Sequence, residues 1–214
     1  AALANQYRDG SNWIYALWHN LHGLTSPLFF TTSGLIFVYL LTGTKADQRY
    51  FENERVRKGF KRVLELLFWG YTIQISFHTI GKDIYYGSEW HLDWVYAFHV
   101  LQSIGIGIFL LLVLFGVKKI IKVGAMHWYY LLSALVILIA YAYLKDYIQT
   151  DEASVAKGNA PSYWPHGFPK FIQNMFYGPF SDFGILRYSS YVLLGGVIGS
   201  VVRSYEHHSK KAWF

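Results

Sequence analysis

Cysteine is absent from this 214-residue sequence, which excludes disulfides, thiolate metal sites and a cysteine nucleophile. Charge is scarce: 15% of the residues are Asp, Glu, Lys or Arg, and no basic stripe interleaved with stacking aromatics stands outside the apolar segments. Nucleic acid is therefore not an expected partner. Neither His-x-x-x-His nor His-Glu-x-x-His spacing occurs, so the usual zinc-site patterns are missing, and no tightly bound cofactor is expected. There is no Asn-x-Ser/Thr sequon, which favours a bacterial protein, and the polar first dozen residues lack the pattern of a signal peptide.

What remains is apolar and aromatic. Hydrophobic residues make up 53% of the chain and aromatics 20%, with 8 Trp and 18 Tyr to supply interfacial belts. A spanning helix needs about 20 mostly apolar residues. Five stretches qualify: Leu24 to Thr42, Val63 to Ile80, Trp94 to Val117, Met126 to Leu144, and Ile185 to Val202. The second opens on Lys61, Arg62 and Glu65, whose long side chains can snorkel to the interface. The fifth carries Gly195, Gly196 and Gly199, a pattern for close helix packing. The fold class is all-α, a polytopic integral membrane helix bundle forming a single membrane domain over 1–214.

The formal charge of +6 follows the positive-inside rule. Lys45, Arg49, Arg55, Arg57, Lys58, Lys61 and Arg62, then Lys118, Lys119 and Lys122, mark cytoplasmic loops, as do Arg203, Lys210 and Lys211. The loops at 81–93 and 145–184 are poorer in net positive charge and face outside. This alternation predicts five crossings with the N-terminal segment outside and the C-terminus cytoplasmic, in the bacterial inner membrane. Residues 1–23 form an outer interfacial segment, with a short helix over Trp13 to Leu21, and the aromatic, turn-rich 145–184 loop folds down as a lid.

In this topology His19, His22, His78, His91, His99 and His166 gather at the outer face. A neutral histidine oriented by a carboxylate can take a proton from an attacking hydroxyl or amine. The spacing of three puts His19 and His22 on one helical face. His78, His99 and Gln102 should face the bundle interior, because polar groups at membrane depth are costly in lipid. They can equally be satisfied interhelical hydrogen-bond partners, and interfacial histidines often serve only as anchors. The basic run from Arg55 to Arg62 is explained by topology, or by an anionic cosubstrate such as a nucleotide or coenzyme A.

Gly23-Leu24-Thr25, followed by Pro27-Leu28-Phe29-Phe30 and Ser33-Gly34, resembles the second transmembrane helix of the heparan-alpha-glucosaminide N-acetyltransferase-like membrane acyltransferases. Val100-Leu101-Gln102-Ser103-Ile104-Gly105 is similar to the start of another of their helices, and Gly178-Pro179 with Tyr191 to Gly195 and Gly199 to a later segment. The resemblance covers about the first half of such a protein. It implies transfer of an acyl group from cytoplasmic acyl-CoA to a glycan or other sugar-type acceptor outside. The family's essential histidine precedes the Gly-Leu-Thr run, so His19 is its match, with His22 the alternative, and Gln102 matches the second motif's glutamine.

On this reading His19 is a general base or transient acyl carrier, Asp93 or Asp9 orients it, and His99 stands nearby. Gln102 hydrogen-bonds the reacting carbonyl or the acceptor, and Arg57, Lys58 and Arg62 attract the phosphates of CoA. The family's leading helix, with its Ile-Asp-x-x-Arg-Gly signature, and its closing helices are not among these residues, so the sequence is expected to be part of a longer chain. Membrane lipids are partners by composition, and a homo-oligomer or larger complex is open. Two alternatives come from other classes: a non-catalytic helical subunit of a membrane complex, and a b-type cytochrome ligated by His78 and His99.

Overall fold

A computed structural model describes the backbone at residues 13–43, 49–75, 85, 99–155 and 184–212. Side chains are described at 21, 23–43, 49–75, 85, 99–145 and 184–206. Five long helices account for nearly all of it: α1 (Trp13–Leu41), α2 (Glu54–Gln74), α3 (Val100–Ile121), α4 (Met126–Val155) and α5 (Ile185–Ala212). Among the described residues there is no strand.

Four of these helices contain a stretch long and apolar enough to cross a membrane: Gly23–Leu41, Val100–Ile121, Met126–Lys145 and Ile185–Glu206. Their outward faces are apolar. Leu28, Phe29, Ile36 and Leu40 on α1, and Trp128, Leu132, Leu135, Val136, Ile139 and Tyr143 on α4, are exposed. A water-soluble monomer rarely presents so broad an apolar surface. The chain is a multi-pass membrane helix bundle.

The elements differ from the sequence reading at their ends. The expected interfacial helix over Trp13 to Leu21 and the first span are one continuous helix, with Pro27 inside it. The second segment begins at Glu54, well before Val63, because Asn53 caps it: the Asn53 side chain accepts a hydrogen bond from the Arg55 N–H at 2.9 Å. Its charged first turns keep it out of the set of four apolar helices. The fourth helix continues past Leu144 to Val155, so the start of the expected 145–184 lid is helical, while 156–183 lie outside the described residues.

Helix α3 is the centre of the bundle. Ile104, Ile108, Leu111, Leu112 and Phe115 are buried, against Val56 and Val63 of α2, Tyr130 and Ala134 of α4, and Val192 and Leu193 of α5. It is apolar all round, as a helix enclosed by others should be. It ends at Lys122 in the left-handed region (φ 58°), and Gly124 (φ 70°) completes a tight turn into α4 that a side chain at 124 would strain.

The contacts give the directions of the helices. Gly107 and Leu111 of α3 meet Val192 and Gly196 of α5, and Phe30 and Gly34 of α1 meet Tyr188 and Val192, so α1, α3 and α5 run the same way. Gly59 meets Leu112 while Gly70 meets Gln102, so α2 runs against α3, and the short turn at 122–125 reverses α4. The largest interface, α1 with α5, is built as the glycine pattern predicts. A methyl group on Gly34 would collide with the Val192 carbonyl, and one on Gly195 with that of Thr31. Backbones approach this closely only where no side chain intervenes.

Candidate functional site

Two places in the bundle concentrate polar groups, one at each end. At the end where α1, α3 and α5 begin, His99 caps α3 with an extended backbone and is half-buried. Its N–H donates to Gln102 Oε1 at 3.2 Å, which orients the amide, and its carbonyl accepts from the Ser103 N–H at 3.1 Å. Gln102 is fully buried, and its Nε2 has no hydrogen-bond partner. It fits only because residue 70 is glycine; a methyl group there would stand 2.9 Å from its Cδ.

Ser103, Ser189 and Ser190 are also fully buried, and Ser189 Oγ has no partner. Since Gly107 faces Val192, the residues one turn earlier, Ser103 and Ser189, lie at one level of the parallel helices α3 and α5. An unpaired buried donor costs about 1–3 kcal/mol. Two at the same end of a membrane bundle make this a polar layer available to a hydrogen-bonding group.

The backbone places His19 and His22 on α1, at the same end as His99. Phe30 marks the level of Tyr188, and His22 lies eight residues before it, about 12 Å further along the axis. The side chains of His19 and His22, and all of His78, His91, Asp93 and His166, lie outside what is described. Gln102 faces the bundle interior as expected, and His99, which the expected span from Trp94 to Val117 put inside a helix, is instead the cap at the start of α3. Among the described residues no group of three or more His, Asp or Glu is placed to hold a metal.

The opposite end is cationic. Helices α1 and α2 touch sparingly and leave two adjoining clefts between them. The smaller, about 100 Å³, is lined by Arg55, Lys58, Gly59 and Arg62 of α2 against Phe37, Leu40 and Leu41 of α1. The larger, about 270 Å³, is lined by Arg55 and Glu54, by Tyr39, Leu40, Leu41 and Gly43, and by Arg203 of α5. Arg55 belongs to both.

Lys58 Nζ pairs with Glu54 at 2.7 Å, whereas Arg55 and Arg62 have no carboxylate partner among the described residues. Arg203 is held: its Nη1 lies 3.0 Å from Glu206 Oε2, its guanidinium lies over the Tyr39 ring at 5.2 Å, and the Tyr39 hydroxyl donates to Glu206 Oε2 at 2.8 Å.

Of the three cations expected to meet phosphates, Lys58 and Arg62 line the cleft and Arg57 does not. At 100° per residue Arg57 is rotated about 200° from Arg55 and points away from α1. Arg55 entered the sequence reading only as the start of the basic run and not among the three named cations, and Arg203 was missed. The helical spacing 55, 58, 62 carries the first; nothing local in the sequence joins Arg203 to α2. Comparison of the chain with protein-family models, with curated proteins and with solved structures finds no match.

Proposed function

We propose that this bundle is a bacterial inner-membrane acyltransferase, moving an acyl group from cytoplasmic acyl-CoA to a sugar-type acceptor on the other face. The observation that carries the reading is the cleft of Arg55, Lys58 and Arg62 over an apolar wall of Phe37, Leu40 and Leu41. Guanidinium and ammonium groups beside an apolar surface suit a ligand that joins phosphates to an uncharged arm. The reading takes the cleft end as cytoplasmic, in line with its excess of Lys and Arg, and takes α2 as a fifth crossing.

The acceptor would then meet the buried polar layer at the other end. From the Gly59 level to the Gly70 level α2 rises about 16 Å, so the acyl-bearing arm of CoA has to bridge that depth. Gln102 Nε2 supplies a hydrogen bond to the reacting carbonyl or the acceptor hydroxyl. His19, or His22, takes the acceptor's proton or carries the acyl group, with Asp93 or Asp9 orienting the ring.

Calorimetry of acyl-CoA binding to the detergent-solubilised protein tests this. Arg55→Glu and Arg62→Glu should each weaken binding by about tenfold or more, while Arg57→Glu, on the other face of α2, should leave it within about twofold. Absence of saturable binding in a folded sample, or equal losses from all three substitutions, overturns the cosubstrate site. His19→Ala should then abolish transfer while leaving binding intact.

A further inference from the structure

The two clefts share one arginine and differ in their other cations, which a site for a single phosphate would not require. Arg62 and Lys58 stand on the smaller cleft, Arg203 and Tyr39 on the larger, and Arg55 at the junction. We infer that the clefts are two lobes of one site for a ligand with two separated phosphoryl groups, and that Glu206 holds Arg203 back until the second group arrives. This rests on the acyltransferase reading for the identity of the ligand, not for its bis-phosphate chemistry.

Three observations support it. Each lobe has its own cation on its own helix, so the two charges of a ligand would be read by α2 and by α5 separately. Arg203 is about three-quarters buried, with 26% of its side chain exposed, against 65% for Lys58, so it is far more desolvated and a charge-assisted bond to it is worth more. Finally, Glu206 occupies only part of the arginine's donor set: the ion pair is made through Nη1, and Nη2 is the atom turned toward Gly43, which lines the larger lobe. An arriving phosphate can bind the remaining donors and compete with Glu206 for the rest.

The larger lobe is also bounded by Tyr39 and by Arg203, whose guanidinium lies over the Tyr39 ring, so an aromatic side chain and a planar cation both line it, a lining that suits a flat group such as a nucleobase. A nucleotide carrying one phosphate cluster at each end of its sugar meets these requirements, and so does a lipid with two phosphates in its headgroup. The test separates them.

CoA and 3′-dephospho-CoA are titrated into wild type, Arg62→Gln, Arg203→Gln and Glu206→Gln in detergent. Wild type is expected to prefer CoA by about tenfold, the worth of one charge-assisted contact. One of the two arginine variants should erase that preference while the other weakens both probes alike. Glu206→Gln, which releases Arg203 without removing it, should tighten CoA and not dephospho-CoA if Arg203 reads the 3′-phosphate, or both if it reads the diphosphate. Equal loss of both probes in both arginine variants, or no change in Glu206→Gln, overturns the two-lobe site.

Nanodiscs containing cardiolipin or phosphatidylglycerol supply the second arm. Neither CoA probe binding, with cardiolipin alone retained through Arg62 and Arg203, keeps the bis-phosphate site and overturns the acyl-CoA reading. Loss of discrimination among all four ligands overturns the site itself. Binding of CoA with the expected pattern but without acyl transfer leaves the site standing and removes the enzyme.

Discussion

Gly195→Ala should be among the most damaging single-methyl changes in the molecule. The added carbon would collide with the Thr31 carbonyl oxygen, stand 2.8 Å from that carbonyl's carbon and 2.9 Å from the Leu35 nitrogen, all of them backbone atoms of α1 that no rotamer can move. Ordinary contact requires about 3.5 Å, so α1 and α5 must separate by more than about 1 Å. A gap of that size forfeits a quarter to a half of each atom pair's attraction of about 0.1–0.2 kcal/mol. If roughly forty pairs across the seam each lose a third, the loss is about 2 kcal/mol, within the about 1–3 kcal/mol range for overpacking.

Gly23→Ala is the matched control on α1, because nothing lies within 4 Å of the new methyl group. There the change should be neutral or stabilising by up to about 1 kcal/mol, from helix propensity alone. Unfolding in mixed micelles, followed by tryptophan fluorescence, reads both. A Gly195→Ala protein as stable as Gly23→Ala would refute the backbone-to-backbone seam between α1 and α5.

Gly70→Ala pushes on Gln102 Cδ from 2.9 Å and should lower acyl transfer by more than about tenfold with the affinity for acyl-CoA unchanged; a parallel loss of affinity would detach Gln102 from the acceptor step. Tyr50→Phe removes a hydroxyl that donates to the Leu112 carbonyl at 2.8 Å, and should cost about 0.5–1.5 kcal/mol. Burial raises the Tyr50 pKa above the ordinary value of 10.0, so its stabilisation is full below pH 10.0 and is lost as pH rises through the higher folded value. Tyr50→Phe should therefore flatten the alkaline fall in melting temperature, and an unchanged fall would count against it. Because the chain has no cysteine, single cysteines at Arg49, Lys122 and Tyr85 report orientation directly: an impermeant maleimide applied to spheroplasts should label only the last, and the reverse pattern would invert the topology.

The spans were legible where composition alone decides them. Val100 to Val117 and Met126 to Leu144 are apolar on every side, and the glycines of α5 announced close helix packing, though only the structure shows that α1 is the partner. The start of α2 was not, because Glu54, Arg55, Arg57, Lys58, Lys61 and Arg62 depress hydropathy over the turns that Asn53 initiates. The cap was local and readable; the hydropathy window passed over it. Arg57 was taken for a site residue by its neighbourhood in sequence, whereas helical phase separates it from Lys58 and Arg62. Gln102 was placed correctly in the interior, but Ser189 was invisible as its companion, since nothing before the packing of Gly107 on Val192 fixes the register of α3 and α5. Arg203 joins the cleft through tertiary structure alone.

The charges that spoil α2 as a transmembrane helix are the ones that make the cleft, and the two facts have one explanation. Helices α1 and α3 run in the same direction, so if both cross the membrane the chain must return between them, and α2 packs along α3 from the Leu112 level to the Gln102 level in the opposite direction. From Leu64 onward its outward side chains are apolar, with Leu64, Phe68, Trp69 and Ile73 exposed and Glu65 paired to Lys61 at 3.6 Å. That half alone is about 17 Å long, short of the about 30 Å hydrocarbon core. The remainder is the segment that lines the clefts. On the proposed orientation, water and headgroups reach Arg55, Lys58 and Arg62 through the opening between α1 and α2, so those charges stay solvated at a depth where lipid would otherwise surround them. A fully apolar α2 would cross more comfortably and would leave an anionic ligand nothing to bind.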